Sequence, residues 1–199
     1  DGARDRVRVG VEEGGDRDRV RLGRPREEGL LEPNGVGPRG RRNEVEEAEK
    51  TLRRALAIEP DSAAAHAALG LTLTQKTDMA GARAEFEQAL AANPRQADAL
   101  FGLGFLAQQQ GRHDEAEKYL RQTLDSRPGY SAARVVLALT LSNKGRCDEA
   151  IPLFTRALQL DYHNMTLHAG LVRCLEDSGR TAEAMQARRI AEQLLGKSQ

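Results

Sequence analysis

Small and apolar residues recur along this chain at intervals of 34 residues. The clearest series are one of alanines, one of glycines and one of prolines. Their members are Ala48, Ala82, Ala116, Ala150 and Ala184; Gly111, Gly145 and Gly179; and Pro60, Pro94 and Pro128. A fixed period of about 20 to 50 residues is typical of a solenoid that stacks one supersecondary unit. The pattern therefore predicts a repeat protein, an architecture that usually presents a binding surface.

The first half of each repeat has the pattern of an amphipathic helix, which we call helix A. With Ala63 as position 1, positions 4, 7, 8 and 11 are mostly apolar or small. In the repeat that begins at Ala97 they are Leu100, Leu103, Gly104 and Ala107. The spacing i, i+3, i+4, i+7 predicts a helix with one buried face. A glycine near position 15 then indicates the helix end, because glycine adopts the left-handed conformation readily.

The second half of each repeat predicts another helix, helix B. Acidic residues such as Asp114 and Glu115 suit its first turn, where the helix dipole favours negative charge. Apolar residues follow at positions 20, 24, 27 and 28, and proline at position 32 stops the helix. Small residues at positions 8 and 20 should face each other, with a large residue at position 24 beside them. Neither helix buries its apolar face alone, so stacked neighbours complete the core.

This pattern resembles the tetratricopeptide repeat (TPR) family. The match is strongest in the three repeats from Ala63 to Asn164, although Tyr162 replaces the last turn proline. In the fourth repeat, Val172 and Arg188 replace the small and large core residues. The resemblance implies an all-α, right-handed solenoid of stacked helix-turn-helix repeats. The expected organisation is a low-complexity segment at 1–43, a leading helix (a partial repeat) at 44–62, and four repeats at 63–96, 97–130, 131–164 and 165–199, the last including a C-terminal cap.

Residues 1–43 do not fit the repeat. They hold 9 of the 19 glycines, 11 arginines and 9 acidic residues, and no aromatic residue. Little apolar area is available to offset the entropy of ordering, so we expect a disordered or poorly ordered segment. The alternation of Arg and Val around Val7 and Val20 leaves a short hairpin open as an alternative. A third interpretation is a wrong reading frame upstream of Asn43, which would explain why the first repeat lacks helix A.

In tetratricopeptide repeats, helix A lines a concave groove, chiefly through positions 2, 5, 9, 12 and 13. Carried over by position, the resemblance implies a peptide-binding groove with an apolar strip flanked by amides. The candidate groove residues are Leu71, Thr74, Gln75, Phe101, Phe105, Gln108, Gln109, Val135, Leu139, Asn143 and Arg173. The alternative is that the two phenylalanines pack against a neighbouring helix or the N-terminal segment. Arg173 is the only basic residue at positions 5 and 9, so a clamp for a terminal carboxylate is not implied.

We therefore predict a protein–protein interaction scaffold rather than an enzyme, with a peptide or partner helix docked in the groove. A second hypothesis is that the chain is the repeat arm of a larger enzyme, such as a glycosyl- or sulfotransferase. A third is self-association by end-to-end stacking of repeats. The fold match names no partner, process or compartment.

Composition bears mainly on what the chain is not expected to bind. It has 30 basic and 30 acidic residues, whereas nucleic acids select clustered positive charge, so no nucleic-acid partner is predicted. No apolar run approaches the roughly 18 residues of a membrane span. No cofactor is predicted, because Gly35–Gly40 fits G-x-G-x-x-G but follows no strand. The four histidines lack ligand spacing on one helix, and no catalytic or metal-binding residue is assigned.

The two cysteines, Cys147 and Cys174, are too few for a disulfide framework or a cysteine metal site. They occupy position 17 of the third repeat and position 10 of the fourth, which could be neighbours in a stack. Two separate buried thiols are the favoured interpretation, because buried cysteine usually serves packing. A disulfide is the alternative.

Overall fold

The structure, a computed structural model, describes residues 38–196, with side chains from residue 43 onward. Within that range the chain is helical, with short turns and no strand. The helices are α1 Pro38–Ile58, α2 Ala63–Gln75, α3 Met79–Ala92, α4 Ala97–Gln109, α5 His113–Ser126, α6 Ser131–Asn143, α7 Cys147–Leu158, α8 Met165–Asp177 and α9 Thr181–Gly196. The predictions of disorder or a hairpin in residues 1–37 lie outside the described residues.

The helices pack as antiparallel pairs that stack in chain order. α2 packs on α3, α4 on α5, α6 on α7 and α8 on α9, and each pair contacts the next. The A helices (α2, α4, α6 and α8) also contact one another in series, which makes them one layer of the stack. The B helices α3, α5, α7 and α9 form the other layer. The all-α solenoid of helix-turn-helix units expected from the sequence is confirmed.

The first helix, α1, occupies the place of a B helix but differs from the leading helix expected at 44–62. It begins at Pro38 and ends at Ile58. The later B helices all begin at position 17 of the 34-residue register, which would place the start of α1 at Val45. Residues 38–43, assigned from sequence to the low-complexity segment, are therefore helical. Proline suits this start, because its missing N–H is not needed in the first turn of a helix.

A residue in the left-handed conformation follows each A helix. Gly111, Gly145 and Gly179 follow α4, α6 and α8, each with φ of +71°. After α2 the same position holds Thr77, with φ of 63°. A β-branched residue incurs a steric cost in this region that glycine avoids. The turn between α2 and α3 is therefore the most strained of the four.

The side chain at position 24 fills the space between helices in α3, α5 and α7. Phe86 of α3 contacts both Gly70 of α2 and Gly102 of α4, where an added Cβ would lie closer than 3.0 Å to the ring. Phe154 of α7 contacts Gly170 of α8 in the same way. Both rings are fully buried. The sequence pattern places the small residue at position 8 opposite the one at position 20, with the large residue at position 24 beside them. In the structure, glycines at position 8 (Gly70) and position 6 (Gly102 and Gly170) make room for the phenylalanine ring at position 24.

Where position 24 holds leucine instead of phenylalanine, position 6 of the following repeat holds valine instead of glycine. Leu120 of α5 contacts Gly104 of α4. Position 6 of the next A helix holds Val136, which packs partly buried against the core, in place of a glycine. The volumes at these two positions compensate each other, as close packing of a protein interior requires.

A buried carboxylate links the second and third repeats. Glu117 of α5 accepts hydrogen bonds from Lys144 Nζ at 2.6 Å, Arg146 Nη1 at 2.7 Å and Arg121 Nε at 2.9 Å. Burial by itself would raise the pKa of Glu117, but the hydrogen bonds from Lys144, Arg121 and Arg146 outweigh it and hold the pKa at about 2. The carboxylate thus ties α5 to the turn between α6 and α7.

In three A helices, the side chain at position 4 forms a hydrogen bond with a backbone carbonyl of the preceding turn. The pairs are His66 Nε2 and the Pro60 carbonyl at 2.8 Å, Arg134 Nη2 and the Pro128 carbonyl at 2.7 Å, and His168 Nε2 and the Tyr162 carbonyl at 2.8 Å. His66 Nδ1 also lies 2.7 Å from Glu85 Oε2. Because both partners of His66 are acceptors, both ring nitrogens donate only in the imidazolium form. Burial lowers the pKa of His66, but the hydrogen bonds to Glu85 and Pro60 outweigh it and raise the pKa.

The two cysteines are free and buried, in agreement with the favoured interpretation. Cys174 Sγ donates to Ser142 Oγ at 3.1 Å, across the contact between α8 and α6. Burial, followed by the neighbouring Cys174 side chain, raises the pKa of Cys147 to about 12. Cys147 is therefore a neutral thiol near pH 7, and its environment gives it the character of a packing residue.

Candidate peptide-binding groove

The candidate groove residues all lie on the A helices, which contact one another in series. The partly buried ones are Leu71, Thr74, Phe101, Phe105, Gln108, Val135 and Leu139. The exposed ones are Gln75, Gln109, Asn143 and Arg173. We call this set of residues on the four A helices the A-helix face.

The apolar side chains of the A-helix face also contact the core. Leu71 packs against the buried residues of the first two repeats. Phe101, Val135 and Leu139 pack against those of the later repeats. Part of each side chain therefore serves packing, and part remains accessible to solvent.

Three aromatic rings cluster on this face between the second and third repeats. Phe101 and Phe105 of α4 lie one helical turn apart, with ring centroids separated by 6.2 Å. Tyr130, in the turn before α6, stacks on Phe101 with a centroid separation of 5.0 Å and an interplanar angle of 28°. Tyr130 thus covers part of Phe101, whereas Phe105 has a partly exposed ring beside the cluster. Phe101 is thus partly covered from within the chain, by the turn that precedes α6.

Polar contacts fix the orientation of the Tyr130 ring. Its hydroxyl donates to Asp98 Oδ1 at 3.0 Å. Arg127 forms an ion pair with the same carboxylate at 3.1 Å, and its guanidinium lies 5.1 Å from the centre of the tyrosine ring. Burial and the hydrogen bond to Asp98 raise the pKa of Tyr130 to about 12. The phenol therefore stays protonated and donates at any physiological pH.

The one basic residue of the predicted set is held by the neighbouring repeat. Arg173 Nη2 of α8 donates to Ser142 Oγ at 2.7 Å and to Asn143 Oδ1 at 3.2 Å, both on α6. Asn143 Oδ1 thus already has a partner, although its side-chain N–H groups remain available. Arg173 therefore links α8 to α6, and its guanidinium is not a free cation that could bind a terminal carboxylate.

The glutamines of the A-helix face differ from Asn143. The side chains of Gln75, Gln108 and Gln109 form no hydrogen bond with any other residue in the described part of the chain. An amide side chain offers two N–H donors and one carbonyl acceptor, the groups that pair with a peptide backbone. These three amides flank the apolar strip on the C-terminal side of α2 and α4.

Sequence reasoning did not assign Tyr130 or Arg127 to this face. Tyr130 occupies the last position of its repeat and Arg127 lies in the turn after helix B, outside the helix A positions to which the resemblance assigns the groove. The sequence did offer one signal, because Tyr130 is a large aromatic residue that directly precedes a predicted helix A. Ser142 lies on helix A, but its side chain is buried by Arg173 and Cys174.

The described residues offer no cluster of three or more His, Cys, Asp and Glu side chains that could hold a metal ion. Among the helices described, none is both long and apolar enough to cross a membrane.

Family models decide which kind of repeat this is. Two models of the tetratricopeptide repeat match the chain, one at residues 73–140, 107–151 and 143–189 and the other at residues 39–86. The chain belongs to the tetratricopeptide repeat family. The family resemblance inferred from the sequence is confirmed, and its repeats and fold support a protein-interaction scaffold.

Solved structures show the same fold. This TPR chain is similar to PilF of Pseudomonas aeruginosa, with 27% sequence identity, a TM-score of 0.65 and coverage of 77% of this chain and 70% of that one. It is similar to MamA AMB-1, with 24% identity, a TM-score of 0.65 and coverage of 77% and 91%. YrrB, described as a TPR protein with an unusual peptide-binding site, gives 22% identity, a TM-score of 0.64 and coverage of 76% and 78%. Comparison with curated proteins by sequence gave no match.

Proposed function

We propose that this TPR chain is a non-catalytic scaffold that binds a peptide or partner helix along the A-helix face. The observation that carries the proposal is the partly exposed ring of Phe105 beside unpaired amides of Gln108 and Gln109. An apolar anchor next to backbone-pairing groups is the combination that peptide recognition in a groove uses.

The apolar strip supplies the affinity in this proposal. Burial of one large apolar side chain is worth roughly 1.5–3 kcal/mol. Tyr130 stacks on Phe101, so Phe105 is the ring that we propose a ligand contacts directly. Leu139 and Val135 extend the strip onto α6, which gives a ligand apolar contacts in two successive repeats.

The polar groups supply orientation. Gln108 and Gln109 lie at the C-terminal end of α4, and Gln75 lies at the equivalent end of α2. Amides at a repeated position can pair with successive peptide groups of an extended ligand, since each offers both donors and an acceptor. Arg173 is bonded to α6, and Arg127 is paired with Asp98, so no free cationic pocket for a terminal carboxylate is proposed.

A peptide-array experiment tests this assignment. The purified chain is applied to an array of peptides of random sequence, and the best binders are titrated by fluorescence anisotropy. Phe105→Ser should weaken binding by about 10- to 100-fold, the range that loss of one buried apolar side chain gives. Leu160→Ser is the matched control, because Leu160 is 68% exposed and lies in the turn after α7, away from the A helices.

The amides are tested in the same assay. Gln108→Ala with Gln109→Ala should weaken the same peptides, whereas Gln88→Ala with Gln122→Ala, on exposed sites of α3 and α5, should not. All variants must retain wild-type helicity and melting temperature. Peptides that bind the Phe105 and glutamine variants as tightly as the wild type would place the binding surface elsewhere.

A further inference from the structure

One face of α1 is uncovered where the same face of the next three B helices is buried. Positions 20 and 27 are buried in α3, α5 and α7. Their counterparts in α1, Ala48 and Ala55, are exposed. Ile58, on the same side of α1, is 81% exposed. With Thr51 between them, these residues form what we call the open face of α1.

The open face results from a missing neighbour. The helices α3, α5 and α7 each pack on the A helix of the same repeat, and their equivalent face is buried. The helix α1 continues back to Pro38, through the register positions of the turn and the end of that A helix, so no A helix among the described residues pairs with α1. The adjoining side is fixed, since Leu52 and Leu56 pack against the core.

An ion pair also holds α1 in the stack. Glu49 is buried and accepts a hydrogen bond from Lys76 at 2.5 Å, across to the end of α2. The ion pair between Glu117 and Lys144, two repeats further along the chain, has the same arrangement. The helix α1 is therefore anchored as a B helix while its open face remains available.

We propose that the open face of α1 pairs with the same face of a second copy of this chain, with the two helices antiparallel. Ala48, Thr51, Ala55 and Ile58 follow the i, i+3, i+7, i+10 spacing of one helical stripe. A two-fold axis near Thr51 places Ala48 of each copy opposite Ala55 of the other. The small side chains let the two backbones approach, and the Ile58 side chains lose contact with water.

Charge complementarity selects a second copy as the occupant. Glu47 and Arg54 are exposed, lie seven residues apart and flank the open face on the same side. In the antiparallel pair, Glu47 of each copy lies beside Arg54 of the other, which gives two symmetric ion pairs. A parallel pair forms neither contact. Arg54 has no ion pair with another residue in the described part of the chain, and Glu47 contacts Lys50 at 2.7 Å at the exposed surface.

The patch is thus self-complementary, as a two-fold symmetric interface requires. The patch is one helix wide, so the surface area buried in the dimer is at the low end of the range for specific interfaces. A reversible dimer, which dissociates on dilution and weakens at high salt, is the expected form.

Sedimentation equilibrium of the full chain over a wide concentration range tests the pairing. The wild type should show a monomer–dimer equilibrium. Ala48→Glu should raise the dissociation constant at least about tenfold, because it brings an unpaired carboxylate into each contact. Ala57→Glu is the matched control, since Ala57 is exposed on a different side of the same helix, and it should leave the dissociation constant unchanged.

Charge reversal tests the orientation. Glu47→Arg and Arg54→Glu should each weaken self-association, and a mixture of the two variants should form a heterodimer. The double variant with both reversals should dimerise like the wild type. Circular dichroism must show unchanged helicity in every variant. A wild type that stays monomeric at all concentrations overturns the proposal and leaves the open face to a helix of another protein. A dimer that responds equally to Ala48→Glu and Ala57→Glu, or to neither, also overturns it.

Discussion

Replacement of Gly102 by alanine tests whether the spacing of the repeats depends on the ring of Phe86. An added Cβ at Gly102 would lie closer than 3.0 Å to three atoms of that ring, and Gly70 contacts the same ring from α2. Phe86 is fully buried, so the ring has little room to move. Overpacking of this kind costs about 1–3 kcal/mol. Alanine is preferred to glycine in a helix by at most about 1 kcal/mol, so we expect a net loss of stability.

Urea unfolding followed by circular dichroism measures the change in the free energy of unfolding. Gly129→Ala is the control, because nothing lies within 4 Å of an added Cβ at Gly129 and its φ is not positive. The control should change the free energy of unfolding by less than about 0.5 kcal/mol. The comparison separates the clash at Phe86 from the general effect of exchanging glycine for alanine.

A double-mutant cycle assigns the loss to the ring. Leu120 at position 24 is followed by Val136 at position 6, so a leucine at position 24 leaves room for a side chain at position 6. In a Phe86→Leu background, Gly102→Ala should therefore cost at least about 1 kcal/mol less than it does in the wild type. If Gly102→Ala is neutral, or equally costly in both backgrounds, the ring does not set the spacing and the packing argument is refuted.

Three further predictions concern single side chains. Thr77→Gly should raise the free energy of unfolding by about 0.5–1 kcal/mol in the same urea experiment, because it relieves a β-branched residue with φ of 63°. Glu117→Gln should lower it by about 3 kcal/mol at pH 7, since the pKa of Glu117 falls from 4.5 to about 2 in the folded state and each unit is worth about 1.4 kcal/mol. That stabilisation is present above about pH 4.5 and is lost as the pH falls toward 2, so urea titrations at acid pH should show a shallower decline in the variant. The pKa of His66 is raised above 6.5 in the folded state, so its contribution is complete below pH 6.5 and lost as the pH rises through the folded value. His66→Gln should therefore flatten the melting temperature between neutral and mildly alkaline pH.

The helix layout could be predicted from the sequence because the register is encoded locally. Gly111, Gly145 and Gly179 mark three turns in which the backbone takes φ of +71°. Thr77 shows the limit, since it adopts nearly the same conformation without the residue type that signals it. The start of α1 was also missed, because arginine-rich residues before Asn43 lack apolar periodicity although they are compatible with a helix.

The A-helix face could be assigned by position, but its contacts could not. The register assigns Phe101, Phe105 and Leu139 to helix A positions that face the groove. It does not predict that Tyr130, from a turn, stacks on Phe101, since that contact depends on where the next repeat lies. It likewise gives Arg173 as a basic groove residue without showing that Ser142 of the preceding repeat already binds it.

The pattern of one repeat does not reveal the contact between positions 24 and 6. This contact joins a B helix to the next A helix, so the second residue lies in the following repeat, as with Phe154 and Gly170. A substitution at position 24 must therefore be judged with the repeat that follows it. In α9 this position holds Arg188, whose exposed guanidinium pairs with Glu176. Because this charged group is held at the surface, the α8–α9 pair has no apolar side chain at position 24, unlike the three repeats before it.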